Sequence, residues 1–585
     1  MRRFLPALLI LTVVPPHLLL AESSGNVTQL PIARVESMPR LPSPLAVRGW
    51  QRVAMAYYDR IFNPAAVGDS FPCVQVETGN NSFAMKSYLG ADFANEAFTC
   101  LGGVLGARLA GLDPRSLHAI DWVERCKAWY DSGIGMYRHH AGDRSTEVHA
   151  DIYGYWAAIQ GTMLAALYPD DPDFPKQART AATAFLRIAH GLGCPDHPDY
   201  DVLGWDFATN SKAGRNEPMN RLGHAPSVAW MLLVGAALTR DPEMLACAQA
   251  TMRWYIEHSG RYEVSHLMGP LAAARINVAV GDQFDLGKVL AAWFGDGDVT
   301  RHPWRITAGT HSDHGITCDG LNGASWGDDG FYAFSMGSLQ GPAWLIPVVR
   351  YDQRYARAIA RYALHLANSA RLLQGDGLDA DHQDHAAWKE KWDKDHLFFY
   401  EGLKSCDPTP SHALKPYATG DVALLGWSRD HAKIDPKEYF AQRSVWFGNS
   451  AVNISLYMGN QVGFLGGIVA TTDVPGILRW DCVTTDWFHA PAYPTHLYWN
   501  PYDQSKTIAV ALGKSTDLYD LVSGVFLARR ASNGYQLTLA ADQAAVVVQV
   551  PPNSIIEVKD GRLVANGTTI DYRTQSLTRS AAGGR

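Results

Sequence analysis

Residues 153–190, YGYWAAIQGTMLAALYPDDPDFPKQARTAATAFLRIAH, hold two stretches with helical spacing, Tyr153–Leu167 and Phe174–His190, joined by a Pro- and Asp-rich connection. Apolar residues recur near i, i+3, i+4 and i+7, the mark of a helix with a buried face. The same theme recurs on both sides, in Asn95–Leu109, Ile120–Ser132, Val228–Leu238, Pro242–His258, Leu267–Val280 and Tyr351–Leu373. Several of these stretches stop as helices stop, with Gly or Asp-Pro after the last turn, as in Leu109-Ala-Gly and Leu238-Thr-Arg-Asp-Pro. Helical pairs joined by alternately short and long loops predict hairpins arranged in a ring, a mainly α fold of the (α/α)-toroid kind over residues 22–475. An open solenoid would show a fixed repeat period, and none is present; a plain helical bundle is the other alternative.

The last hundred residues change character. Thr507–Leu512, Tyr519–Leu527, Gln536–Leu539 and Ala544–Val550 are short β-prone runs punctuated by Gly, Asn and Pro. Ile555–Lys559 and Arg562–Val564 then flank Asp560-Gly561, a hairpin signal. A small antiparallel β domain is therefore expected over 476–573, starting between Thr472 and Tyr498, with a disordered tail at 574–585.

At the other end, Arg2 and Arg3 precede an apolar run that closes in Leu-Ala-Glu, which reads as a secretory signal peptide over 1–21 cleaved after Ala21. The mature chain is thus expected to be secreted or periplasmic, with no membrane span after signal cleavage. A net charge of −7 leaves no concentrated basic field, which argues against nucleic acid as a partner. The 18 Trp and 25 Tyr point to carbohydrate, because sugar rings stack on flat side chains. The eight cysteines, Cys73, Cys100, Cys126, Cys194, Cys247, Cys318, Cys406 and Cys482, contain no CxxC pair. Export permits disulfides, but spacing names no pairing. No Gly-rich phosphate or dinucleotide motif points to an organic cofactor, and no metal set is assigned.

A helical ring followed by a β domain is similar in outline to the (α/α)-toroid glycoside hydrolases and polysaccharide lyases of bacteria. The closing segments Tyr498-Trp-Asn-Pro-Tyr-Asp, Lys506-Thr-Ile-Ala-Val and Leu518-Tyr-Asp-Leu-Val-Ser resemble the β domains that end such enzymes. The resemblance implies activity on a glycan. It supplies no catalytic motif, so the site is argued from chemistry.

In a ring, the inner helices and their long loops line one cleft. Four loop segments carry suitable groups. In Glu147–Trp156, His149, Asp151 and Tyr153 precede or open a helix, where the dipole stabilises a carboxylate, although Asp151 also reads as an N-cap. Gly204–His224 concentrates Trp205, Asp206, Asn210, Lys212, Arg215, Glu217 and His224, a set suited to hydroxyl and carboxylate recognition. The third segment holds His311, Asp313, His314 and Asp319, then Trp326, Asp328, Asp329 and Tyr332, and its adjacent carboxylates are able to hold one raised proton or a hard cation. The fourth, Asp376–His385, lacks the closing Glu of a calcium loop and reads as a charged connection; Glu401 and Asp421 follow it.

A hydrolase needs one protonated and one ionised carboxylate across the glycosidic bond, for which Asp328, Asp329, Asp151 and Asp206 are the candidates. His149, Tyr153, His224 and His314 serve as helpers. Sugar contact falls to Trp156, Trp205, Trp326, Tyr332, Asn210, Lys212, Arg215 and Glu217. The alternative is a lyase acting on a uronate, with a His or Tyr base and with Asn80, Asn81, Asn210 or Arg215 holding the carboxylate. The acidic balance of the chain argues for the hydrolase, since an anionic polymer favours a positive cleft. A glycan-binding protein without catalysis is the third reading.

Overall fold

Two kinds of helix alternate along the chain, and their apolar patterning decides where each one sits. The computed structural model describes residues 26–142, 149–150, 152–202, 204–207, 209–213, 224–258, 263–281, 284–295, 304–308, 310–311, 315–325, 331–404, 415–420, 452 and 454–572. The expected signal peptide and the expected disordered tail lie outside them. We number the principal helices α1 Trp50–Ile61, α2 Ala97–Ala110, α3 Ile152–Leu167, α4 Phe174–Gly191, α5 Ala225–Thr239 and α6 Pro242–His258, then α7 Gly269–Val280, α8 Leu286–Phe294, α9 Ser335–Leu345, α10 Ala356–Ser369, α11 Leu456–Gly459 and α12 Val462–Gly466.

Helix α9 is buried on every face, and α2 is buried at every position except Arg108. Such helices belong inside. Helix α4 instead buries Phe174, Ala178, Phe185 and Ile188 while Lys176, Arg179 and Arg187 stay in water, so it takes an outer position. The contacts close a cycle: α2 packs on α3, α3 on α5, α5 on α7, α7 on α9, α9 on α12 and α12 back on α2. Outside it, α1 bridges α12 and α2, α4 bridges α3 and α5, α6 bridges α5 and α7, and α8 and α10 lie on α7 and α9. The result is the expected toroid. Among the described residues helix reaches 41% and strand 21%, so the class is more mixed than mainly α. No helix of the described residues is long and apolar enough to cross a membrane.

Where α2 and α12 cross, backbone meets backbone. A Cβ on Gly463 would stand 2.1 Å from the Gly106 carbonyl oxygen. No rotamer relieves a clash with main chain, so Gly463→Ala is expected to destabilise the protein by about 3 kcal/mol, the upper end for overpacking. A urea titration measures it, and a loss below about 0.5 kcal/mol would mean that this crossing is looser than described.

The connections follow from the alternation. Short connections join α3 to α4, α5 to α6 and α7 to α8, whereas the long segments before α2, α3, α5, α9 and α11 all lead into the N-terminal ends of inner helices. Small antiparallel sheets stiffen this mouth. One contains Val74–Glu77, Ser82–Lys86 and Phe93–Ala94; another contains His149–Ala150, Gly204–Asp206 and Ser211–Ala213. The largest has five strands, in the order Tyr417–Thr419, Gly402–Lys404, Phe331–Phe334, Asn322–Ser325 and Arg305–Ile306.

The C-terminal domain has strands β1 Val469–Thr471, β2 Leu478–Asp481, β3 Thr495–Trp499, β4 Lys506–Val510, β5 Thr516–Asp520, β6 Val525–Ala531, β7 Tyr535–Leu539, β8 Ala544–Val550, β9 Ile556–Lys559, β10 Arg562–Ala565 and β11 Thr568–Asp571. Its main sheet runs β1-β2-β3-β8-β5-β6, and β4 pairs with β7. The central strands β3, β5 and β8 are buried on both faces, and the period of two sorts them. Leu497, Trp499, Val546 and Val548 join the core shared with the ring, while Tyr498, Ala545 and Val547 join a separate core with Ile508 and Leu537. The sheet lies on α10, whose Arg357 and Arg361 bind Glu36 at 2.6 and 2.7 Å; Arg357 also reaches Asp542 at 2.9 Å.

Two expectations are corrected here. The sheet begins at Val469 rather than 476, because Val-Ala-Thr follows directly on the Gly-rich end of α12. The run Tyr519–Leu527 is not one strand but the turn between β5 and β6. Asp520 makes that turn by accepting from Val522 N, Ser523 N and the Ser523 hydroxyl. At the expected hairpin, Asp560 and Gly561 both take positive φ, 51° and 72°, as a two-residue type I′ turn requires.

Between β2 and β3, a loop closes the far end of the ring. Its Asp486 is fully buried and accepts from Arg350 and, at 2.8 Å, from the Tyr351 hydroxyl, with Arg275 at 3.8 Å. Arg275 also donates to the Trp487 carbonyl at 2.7 Å. A cleft of about 400 Å³ remains there, walled by Leu167, Leu238, Trp487 and Phe488.

Candidate functional site

The mouth offers one carboxyl group whose surroundings do unusual work. Glu96 caps α2, the first inner helix, and its Oε2 accepts from Thr99 N at 3.2 Å and from the Thr99 hydroxyl at 2.5 Å. The other oxygen, Oε1, makes no hydrogen bond and lies 3.8 Å from His139 Nε2. Only 7% of the residue is exposed. Burial holds its carboxyl up at about 7, against the opposing pull of the Thr99 hydroxyl and amide. A carboxyl group that is half protonated near neutrality is what a general acid requires.

Its neighbours enclose it. The backbone of Glu96 bridges that of His140, and Ala97 N donates to the His139 carbonyl at 2.7 Å. The two histidine rings stand edge to face at 4.6 Å. Two residues on, Phe98 packs on Tyr457 at 4.7 Å and on Trp156 at 5.8 Å. Tyr457 is half-buried at the start of α11 and is the aromatic of this trio nearest to solvent. Below them a chain of amides fills the ring, with Gln160 and Gln461 donating to the Phe98 carbonyl and Gln340 donating to Gln461 at 3.0 Å.

A second carboxyl group stands at the head of α9. Glu401 is 8% exposed, accepts from the Tyr88 hydroxyl at 3.4 Å, and gives its carbonyl to Ser335 N at 2.8 Å. Glu77 takes the amide of Asn95 at 3.2 Å and the hydroxyl of Ser82, which ties the first sheet to the same rim.

The sequence candidates distribute as follows. His149 and Asp206 are cross-strand partners, and Ala150 faces Trp205, so the structure brings the first two candidate segments into one sheet. Asp206 is half-buried, with Oδ1 accepting from Thr209 N at 3.2 Å. The backbones of His149 and Tyr153 fall at the head of α3. Asp151, Arg215, Glu217, His314, Trp326, Asp328 and Asp329 lie outside the described residues, as do Asp313 and Asp421. Asn210 is exposed in a left-handed turn, and Lys212 is paired at the surface with Asp199 at 2.9 Å.

Four assignments give way to packing. Trp205 is 3% exposed because its ring lies on Gly191, where a Cβ would come within 1.9 Å, so it presents no stacking face to solvent. Trp156 at 2% is a core ring under Phe98. Tyr332 at 6% packs with Trp304 and Phe334. His224, 1% exposed, lies between Tyr155 and Tyr200 with Nε2 on the Tyr200 carbonyl at 3.1 Å, a structural position.

Burial pushes His224 down to about 4, and the same cause acts on His365 and His496, both also near 4. A histidine kept neutral in the fold contributes stability that is complete above its unfolded value of 6.5 and is lost as the pH falls through 4. Each contributes up to about 3 kcal/mol across that window. The unfolding midpoint should therefore drop steeply between pH 6.5 and 4 in a thermal scan, whereas a flat profile would show these rings to be hydrated.

In the fourth segment Asp379 is an exposed carboxylate lowered to about 2 by Lys415 and then by His382, whose Nδ1 is at 2.6 Å. That is a surface ion cluster, as the sequence indicated. Among the described residues no group of three or more His, Cys, Asp or Glu side chains is placed to hold a metal ion.

Glu96 was missed in the sequence, although a signal was present: an acid followed three residues later by Thr, at the head of an apolar, Gly-rich helix. No protein-family model and no curated protein sequence matches the chain. Among solved structures it is similar to a GH127 beta-L-arabinofuranosidase from Geobacillus stearothermophilus T6, at 12% identity and a TM-score of 0.38 over 89% of this chain and 84% of that one. It is similar also to a GH127 beta-arabinofuranosidase, at 10% identity and a TM-score of 0.35 over 93% of this chain and 85% of that one. Likeness at this level leaves the activity to be read from the site itself.

Proposed function

We propose that this chain is an exported glycoside hydrolase that cleaves an oligo- or polysaccharide at the mouth of its helical ring, with Glu96 as the proton donor. The observation that carries this reading is the Glu96 carboxyl, buried at the head of an inner helix and held at about 7. Such a group protonates a leaving glycosidic oxygen at neutral pH, whereas a carboxyl at its ordinary value has already lost its proton. Its ionised partner is assigned among the candidate acids read from the sequence, Asp206, Asp151, Asp328 and Asp329. Carboxyls about 5–5.5 Å apart would retain anomeric configuration and those about 6.5–9.5 Å apart would invert it. Tyr457 offers the aromatic face for a sugar ring.

The purified protein, incubated with neutral and uronate-containing glycans, tests this. Reducing ends without ultraviolet absorbance at the wavelength of unsaturated uronates support hydrolysis. Rising absorbance would move the chemistry to a His or Tyr base and a lyase, and silence on both readouts across a broad panel would favour a glycan-binding protein.

A further inference from the structure

The segment between α4 and α5 is anchored by a cluster that the hydrolytic reading does not use. Cys194 sits at the start of this segment, 7% exposed, over the buried turn of α6 that carries Cys247 and Thr251. Its Sγ lies 3.4 Å from Thr251 Oγ1, 3.4 Å from the Tyr200 hydroxyl and 3.9 Å from the Cys247 carbonyl oxygen. Thr251 in turn binds the Cys247 carbonyl at 2.8 Å and the Tyr200 hydroxyl at 2.6 Å. Both cysteines are free thiols, and the nearness of the two holds Cys194 below its ordinary value and Cys247 above it. Cys73, Cys100, Cys126 and Cys482 are buried too, but burial raises each of them.

We infer that Cys194 and Cys247 form a disulfide in an oxidising compartment, pinning the segment that leads to Asp206 onto α6. Cys194 Sγ already reaches the Cys247 backbone at 3.9 Å, so bonding geometry needs only a local approach of the two sulfurs. The oxidant is a disulfide of the low-molecular-weight class, RSSR. The Cys194 thiolate attacks one of its sulfurs, forms a mixed disulfide and releases RS⁻. The Cys247 thiolate then attacks the Cys194 sulfur, forms the internal bond and releases a second RS⁻. The two thiol protons pass to solvent or to the departing thiolates, so the protein loses two electrons and RSSR gains them.

The cross-link closes a loop across a sequence separation of 53 residues. It holds in place Tyr200, whose ring packs on His224 at 5.4 Å and on Trp254 at 5.4 Å, and with it the wall that continues to the His149–Asp206 strand pair.

The full chain, equilibrated with oxidised glutathione, alkylated in denaturant without reductant and digested with trypsin, gives the test. The expected product joins residues 188–212 to residues 241–253 through Cys194 and Cys247 and disappears on treatment with dithiothreitol. Alkylation of both cysteines, a mixed disulfide with glutathione alone, or pairing of either with another cysteine would overturn the inference. Cys194→Ser is expected to lower the unfolding midpoint of the oxidised protein by about 2–4 °C, to the value of the reduced wild type. If the deficit persists when both proteins are reduced, the role of Cys194 is packing and the inference fails.

Discussion

Glu96→Gln is expected to lower kcat on the first glycan found to be cleaved by at least about 10²-fold, the contribution of a positioned general acid. The glutamine keeps an oxygen acceptor for the Thr99 amide and hydroxyl, so the cap on α2 survives and the fold with it. KM should change little, because the lost interaction forms only as the leaving oxygen gains its proton. Stability should move the other way. In the wild type, folding raises the carboxyl from 4.5 to about 7, so its contribution is most favourable below 4.5 and is lost as the pH rises through 7. At pH 8 the buried anion costs up to about 3 kcal/mol, which the variant escapes. The variant is thus expected to keep only a small residual activity and, above neutrality, to be more stable than the wild type. A variant that unfolds more easily at pH 8 but retains full kcat would reduce Glu96 to a helix cap.

The second large effect lies at the opposite end of the ring. Asp486→Ala removes the only carboxylate paired with Arg350 among the described residues and leaves that guanidinium buried at 3% exposure. Losing one member of a buried ion pair costs about 3–5 kcal/mol, since the remaining charge stays desolvated. The Tyr351 hydroxyl loses its acceptor as well. The double variant Asp486→Ala/Arg350→Met should lose less than the single one, because neither charge then remains. Denaturant midpoints for the two variants measure this, and equal losses would show that the pair is solvated and that the loop between β2 and β3 does not lock the ring.

The ring was legible because the sequence writes it twice over. Helical spacing recurs in pairs such as Tyr153–Leu167 and Phe174–His190 with alternately short and long connections, whereas the division into inner and outer helices shows only in the fold. Strand β8 was read with its true ends, since Ala544–Val550 is a Val-rich, mostly apolar run between turn residues. The β5–β6 turn was not legible, because Leu521 and Val522 look like strand; only the fold shows Asp520 gathering the amides that reverse the chain. Aromatic content misled in a specific way. Sugar stacking and core packing draw on the same rings, and Trp205 and Trp156 are in the core for reasons, Gly191 and Phe98, that lie far from them in sequence. Glu96 escaped notice because its property is desolvation, which no local pattern records; the contact between Cys194 and Cys247 is likewise purely tertiary.

The central claim is that a carboxyl kept protonated by burial at the mouth of the ring performs glycosidic cleavage. It is tested most directly by the pH dependence of kcat/KM for wild type and Glu96→Gln on one cleaved glycan. The account predicts a descending limb near pH 7 in the wild type that is absent from the residual activity of the variant. A wild-type profile that stays flat through pH 7, or a variant that keeps the same descending limb, would contradict it.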